Sequence, residues 1–209
     1  MTPSTPVTYF GIMRHGESRW NREKRIQGQS DSPLTPSGRQ AADRWAQWLH
    51  RFTWDRLLVS DLGRARETAT IINTVLKLPL TVDARLREQD WGKWTSYSIA
   101  ELRRTESDRL QRLEASGWMF CPPGGESRET VWQRSSQALF DAASRWSGRS
   151  ILVVTHAGVV KCLLYRLMRR EFLPSEKSVL LPRALHRLQH SSRGLDIEAC
   201  NAMDLQSTP

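Results

Sequence analysis

Short apolar runs of three to five residues alternate with longer stretches whose apolar positions return every three or four residues. The first pattern fits buried strands and the second amphipathic helices, so the chain reads as an α/β domain. Residues 9–13 form the first run, which stops at Arg14-His15-Gly16, and a loop extends through Pro33. Thr35-Pro36 then supplies an N-cap followed by proline at the first helical position. The helix it starts places Ala41, Trp45, Trp48, Leu49 and Phe52 on one face. Residues 57–59 are the next strand, ending at Ser60. A helix with Ala65, Ala69, Ile72 and Leu76 inward and a short strand over 80–82 follow. Residues 99–113 read as one polar, arginine-rich helix over the core, and Pro122-Pro123-Gly124-Gly125 breaks the chain. Residues 126–146 form a helix with Val131, Ala138, Leu139 and Ala142 inward. Residues 151–154 are the clearest buried strand, and a helix runs from His156 to about Met168. Residues 185–188 and 195–199, joined by Ser191-Ser192-Arg193-Gly194, read as a final hairpin. One domain is expected over 7–202, with flexible ends at 1–6 and 203–209.

Three of the predicted strands end in chemically capable residues: Arg14-His15, Ser60 through Arg64, and His156. In open parallel sheets, ligands bind beyond the carboxyl ends of the strands. If these strands are parallel, two histidines and two arginines meet at one edge. Guanidinium forks match phosphoryl oxygens bidentately and keep their charge. Gly16 would let backbone amides approach an anion, and the helix after His156 turns its N-terminus to the same place. An imidazole among these groups can attack phosphorus. Taken singly, each histidine could be a hydrogen-bonded structural residue and each arginine a carboxylate partner; the convergence is what points to phosphoryl chemistry. No Walker loop or kinase signature is present. A metal site is not expected, because the histidines lack short ligand spacing and the arginines would repel a cation.

Composition narrows the classes. The 209 residues carry 31 Lys+Arg against 22 Asp+Glu, a net charge of +9, yet the basic residues are dispersed rather than blocked. That field would attract small anions, and nucleic acid is not expected as a partner. The three cysteines, Cys121, Cys162 and Cys200, are too few and too widely spaced for a disulfide framework or a zinc pattern. No apolar run approaches the roughly 18 residues of a membrane helix, so no membrane partner is expected. Residues 1–6 show no basic region followed by an apolar stretch, which sets a cytoplasmic expectation.

The order of motifs resembles the histidine phosphatase superfamily, in the branch that includes cofactor-dependent phosphoglycerate mutases. The motifs are Arg14-His15-Gly16-Glu17-Ser18, Asn21, Gln27-Gly28, Asp31-Ser32-Pro33-Leu34-Thr35 with Gly38, and Ser60-Asp61-Leu62-Gly63-Arg64-Ala65 with Thr68-Ala69. Leu86-Arg87-Glu88 with Gly92 and Trp94, Pro123-Gly124-Gly125-Glu126-Ser127, and Thr155-His156-Ala157-Gly158 complete the series. The resemblance implies a three-layer α/β/α sandwich around a mostly parallel sheet. It implies that His15 is the nucleophile, that Arg14, Arg64 and His156 clamp the phosphoryl oxygens, and that Glu88 is general acid and then base. Asn21, Gln27 and Gly28 would contact phosphate and substrate, and Ser60 would place the turn that aims Arg64. One departure stands out: many relatives follow Gly-x-Trp with Glu-Gly, and here Thr95-Ser96 follows Gly92-Lys93-Trp94.

The implied reaction is attack by neutral His15 on a phosphomonoester, followed by hydrolysis of phosphohistidine, with no metal and no cofactor. His15 must shed its proton while Glu88 must hold one near the working pH. Relatives that act as mutases carry a longer stretch between the acid and the second histidine, so a phosphatase acting on a small phosphorylated metabolite is the expected function. A phosphoglycerate mutase-type transfer is the alternative, and a non-catalytic phosphate-binding module is the alternative from another class. Substrate choice would reside in 95–122, where Arg103, Arg104 and Arg109 either meet a second anionic group or form a solvated helix face. Monomer and homodimer are equally compatible with the sequence.

Overall fold

The computed structural model describes residues 6–204. Its strands are β1 (Thr8–Arg14), β2 (Arg56–Val59), β3 (Leu80–Val82), β4 (Ser150–Thr155), β5 (Ala184–Ser191) and β6 (Gly194–Asp204). Its helices are α1 (Arg19–Arg22), α2 (Pro36–Leu49), α3 (Gly63–Leu76), α4 (Ile99–Thr105), α5 (Ser107–Ala115), α6 (Arg128–Arg145) and α7 (Ala157–Leu167). The strands form one mixed sheet in the order β3-β2-β4-β1-β5-β6. β3, β2, β4 and β1 run parallel, and β5 and β6 close the other edge antiparallel.

Strand alternation divides the core. Phe10, Ile12, Leu58, Ile151 and Val153 point to one face, where α6 and α7 cover them with Val131, Leu139, Val159 and Leu163. Met13, Leu57, Val59, Leu152 and Val154 point to the other, under Trp45 and Leu49 of α2 and Ala65, Ala69 and Ile72 of α3. A parallel sheet covered on both faces needs apolar residues at nearly every position, which is why these strands read as continuous apolar runs. The result is the expected three-layer α/β/α sandwich.

Several boundaries differ from the sequence reading. The first loop contains a helical turn, α1, closed by a capping box between Ser18 and Asn21. α2 ends at Leu49, so Phe52 lies beyond the helix and is exposed, stacked on Trp48 with ring centroids 4.6 Å apart. The single helix expected over 99–113 is two helices that meet at Glu106, whose carboxylate accepts from Trp94 Nε1 at 3.1 Å. The two helices form a cap whose own small core is Trp94, Leu102, Leu110 and Phe120. The final hairpin is longer than predicted: Met203 and Asp204 pair with Leu185 and Ala184, so the flexible end does not begin at 203. Backbone hydrogen bonding along the edge holds them, a term that side-chain pattern does not register. The expected flexible stretches 1–5 and 205–209 lie outside the described residues.

Leu152, fully buried at the centre of β4, anchors the α2–α3 face. Leu152→Ala should lower unfolding free energy by about 2–5 kcal/mol. Urea unfolding followed by tryptophan fluorescence checks this, with an unchanged denaturant slope expected.

Candidate active site

Parallel pairing of β1, β2 and β4 brings Arg14, Ser60 and His156 to one edge of the sheet. His15 N donates to Thr155 O at 2.9 Å, which extends the β1–β4 ladder by one residue and fixes where the imidazole begins. The ring is buried, and Nδ1 lies 2.7 Å from Gly16 O. That partner is an acceptor only, so Nδ1 carries the proton and Nε2 keeps its lone pair. Nε2 accepts from Arg64 Nε at 3.2 Å. Burial first, then the charges of Arg14 and Arg64, holds the imidazole well below its ordinary pKa, in the neutral form.

Arg64 is 1% exposed. Its Nη1 donates to Ser30 O at 2.7 Å and to Asp31 Oδ1 at 3.1 Å, and its Nη2 donates to Gly28 O at 2.8 Å. Asp31 also accepts from the Gly63 and Arg64 amides, so one carboxylate caps α3 and orients the guanidinium that α3 carries. Thr68, one turn further along α3, accepts from Gly16 N at 3.0 Å and donates to Arg64 O at 2.7 Å. In the sequence, Asp31 and Thr68 stand inside motifs that give them no role. Only the folded contact between the 28–31 loop and α3 reveals one.

Glu88 approaches along a different path. After β3 the chain runs through Asp83 to Arg87, whose guanidinium pairs with Asp61 at 2.5 Å. Glu88 Oε1 accepts from its neighbour Gln89 N at 2.9 Å, and Oε2 accepts from Gly158 N, in the first turn of α7, at 3.2 Å. A Cβ at residue 158 would collide with the Glu88 carboxylate, which accounts for glycine there. The Pro123–Ser127 motif is the platform beneath. Glu126 accepts from Asp90 N at 2.9 Å and from Arg134 Nη2 at 2.6 Å, and Arg134 in turn donates to Glu88 O at 3.1 Å. A pair eight residues apart in sequence leaves no periodic signal, so Arg134 was missed.

His156 is fully buried behind His15, with ring centroids 5.1 Å apart. Its Nε2 meets Ser60 Oγ at 2.8 Å, and its Nδ1 has no partner among the described residues. Ser60 therefore orients His156, besides accepting weakly from Leu62 N at 3.4 Å in the turn it was expected to place. Arg14 Nε is likewise buried without a protein partner. Buried polar atoms are ordinarily satisfied, so an unpaired guanidinium N–H and an unpaired ring nitrogen beside the neutral His15 imidazole mark a place for an anion. Arg14, His15, Asn21, Gln27, Gly28, Arg64 and Glu88 line one cleft of about 190 Å³, together with Arg25, Ile26, Trp91 and Ile99. Asn21 spends its Oδ1 on Ser18 N at 3.1 Å, and Gln27 Oε1 accepts from Ser32 Oγ at 3.2 Å. Among the described residues, no group of three or more His, Cys, Asp or Glu side chains is placed to hold a metal ion.

A family model described as histidine phosphatase superfamily (branch 1) matches residues 10–203. The chain belongs to the histidine phosphatase superfamily. A probable phosphoglycerate mutase GpmB of Salmonella choleraesuis is 37% identical over 153 residues, 73% of this chain and 71% of that protein. Bacillus stearothermophilus YhfR has a structure similar to this chain with a TM-score of 0.85 at 29% identity, covering 94% of this chain and 98% of that one. A mycobacterial glucosyl-3-phosphoglycerate phosphatase in complex with VO3 follows at 0.80 and 26%, covering 93% and 99%. A phosphoserine phosphatase mutant from Entamoeba histolytica, in complex with phosphoserine, gives 0.79 and 26%, covering 93% and 97%. Among the described residues no helix is long and apolar enough to cross a membrane.

The departure at Thr95-Ser96 has a backbone consequence in this member of the superfamily. Ser96 sits at φ 75°, the left-handed region that glycine enters freely and serine does not. It is held there because its N–H donates to Ile26 O and its carbonyl accepts from Arg25 Nη1, both at 2.8 Å. Ser96→Gly should therefore stabilise the fold, by about 0.5–1 kcal/mol once the extra freedom of glycine in the unfolded chain is subtracted. Thermal unfolding of the variant checks this.

Histidine burial also dictates a pH dependence. His15 and His156 are held well below the ordinary value of 6.5, and burial pushes His186 down to about 4. Each binds a proton in the unfolded chain below about 6.5 but not in the native one, so the unfolded state gains protons as pH falls. Stability is then complete above about pH 6.5 and declines as pH falls below it, with proton uptake on unfolding approaching about three near pH 5. Urea midpoints at pH 7.5, 6 and 5 test this; a flat profile would contradict the neutral burial of these rings.

Proposed function

We propose that the protein is a metal-independent phosphomonoester hydrolase that works through a phosphohistidine on a small phosphorylated metabolite. The observation that carries this reading is the His15 ring: Nδ1–H is held by Gly16 O, and the Nε2 lone pair faces Arg64 at the cleft beside Glu88.

In the first step Nε2 forms the bond to phosphorus while the ester P–O bond breaks, and protonated Glu88 gives its proton to the leaving alkoxide. A water then forms the new P–O bond as the N–P bond breaks, and its proton returns to Glu88. Arg14, Arg64 and His156 meet the charge on the equatorial oxygens, with Ser60 donating to His156 Nε2 so that Nδ1–H faces the phosphoryl group. Asn21, Gln27 and Gly28 border the same group. The charge-assisted donors are partly buried, and there they are worth more than in bulk water.

His15→Ala should abolish phosphate release and trapping of a phosphoenzyme in rapid-quench experiments, with the variant still folded. Glu88→Gln should slow alkyl phosphates by about 10²–10⁴-fold and p-nitrophenyl phosphate far less, because only the poor leaving group needs the proton. Equal losses on both would remove Glu88 from its role. Interconversion of phosphoglycerate isomers without phosphate release would replace hydrolysis by a mutase reaction.

A further inference from the structure

In-line displacement sets the leaving oxygen opposite His15 and within reach of the proton donor. On the phosphatase reading, the leaving group therefore occupies the part of the cleft that Glu88 lines. Glu88 and Arg64 line the cleft of about 190 Å³. Neither lines the neighbouring cavity of about 230 Å³, which Arg183, Glu17 and Trp45 help to wall. The apolar side chains lining the same cleft as Glu88 are Ile26, Trp91 and Ile99. All three are outer members of the Trp94–Leu102–Leu110–Phe120 cluster, so the apolar core of the cap continues into the cleft.

Charge on that wall is already matched. Arg25 pairs with Glu23 at 3.3 Å and donates to Ser96 O at 2.8 Å. Arg103 and Arg104 of the cap are exposed, Arg109 faces Glu106 at 3.5 Å, and none of the three lines the cleft. The arginine-rich sequence of the cap is thus a solvated face, and its isoleucine is what meets the site.

We infer that the substrate is a phosphomonoester of an uncharged, partly apolar alcohol, and that Ile26, Trp91 and Ile99 set this specificity; the inference rests on the phosphatase reading above. A carboxylate or second phosphate on the leaving group would lose its water against three apolar side chains, and Arg25 beside them is already engaged by Glu23 and Ser96 O. A hydrocarbon body gains burial and dispersion contacts at the same place, while the phosphoryl group keeps its own arginines.

The test compares kcat/KM for 2-phenylethyl phosphate and 3-phosphoglycerate. Both are alkyl esters, so leaving-group basicity does not decide the outcome. The wild type is expected to prefer the phenylethyl ester by at least about tenfold, the scale on which apolar pockets discriminate. Ile99→Arg, at the partly buried start of α4 where the Ser98–Glu101 capping box is untouched, should shift that ratio toward 3-phosphoglycerate by about tenfold. Ile26→Ser should lower the ratio by a separate route, and circular dichroism of both variants confirms folding. A wild-type preference for 3-phosphoglycerate, or an unchanged ratio in both folded variants, would overturn the specificity assignment while His15-dependent phosphate release kept the phosphatase reading intact. Absence of His15-dependent release from either ester and from p-nitrophenyl phosphate would overturn the phosphatase reading and this inference with it.

Discussion

The hydrogen bond from His15 Nδ1 to Gly16 O, made by a buried ring near two guanidiniums, is the contact on which the rest of the site depends. It fixes the tautomer, and burial beside Arg14 and Arg64 keeps the ring unprotonated. Burial alone disfavours the charged ring, and the two guanidiniums add to that. Much of the surrounding structure holds these groups in place. Asp31, Ser30 and Gly28 hold Arg64 from the loop side, and Thr68 ties it to the Gly16 amide. Packing Gly16 against Gly38 leaves no room for a side chain at either position, so the 14–18 turn and the start of α2 are locked together.

The carboxylate side is built independently. Glu88 arrives on an irregular segment with no ladder to steady it, and the structure compensates with three unrelated supports: the Arg87–Asp61 pair, the Gly158 amide and the Glu126–Arg134 platform. These come from the end of β2, the start of α7 and the start of α6. Displacing any of them moves the carboxylate relative to His15 without touching either group, which is how residues distant from the chemistry govern its geometry.

Charge and shape have separate origins in this molecule. Many surface arginines are paired with carboxylates and those of the cap are exposed, whereas the cleft draws on Arg64, which is buried, and Arg14, whose Nε is buried. The cap presents hydrocarbon to the cleft and arginine to solvent. The cap segment thus keeps its arginines, which add to a general attraction for anions, apart from the isoleucine that lines the cleft.

Much of this was legible in the chain. Apolar runs gave β1, β2 and β4, helical periodicity gave α2, α3, α6 and α7, and the residues at the strand ends gave His15, Arg14, Arg64 and His156 as one cluster. These features are local or follow from the parallel-sheet rule, so each residue carries its own signal. Folding alone decided the rest. The break at Glu106 depends on the Trp94 indole beneath it, and the pairing of Met203 at the sheet edge depends on Leu185 of β5, 18 residues away. The roles of Asp31, Thr68, Arg134 and Gly158 exist only once distant segments touch. The same is true of the cap: sequence shows that Arg103, Arg104, Arg109 and Ile99 share a segment, but which of them faces the cleft is set by how that segment packs. Side-chain chemistry is written residue by residue, whereas direction and partnership come from long-range packing and have no local code.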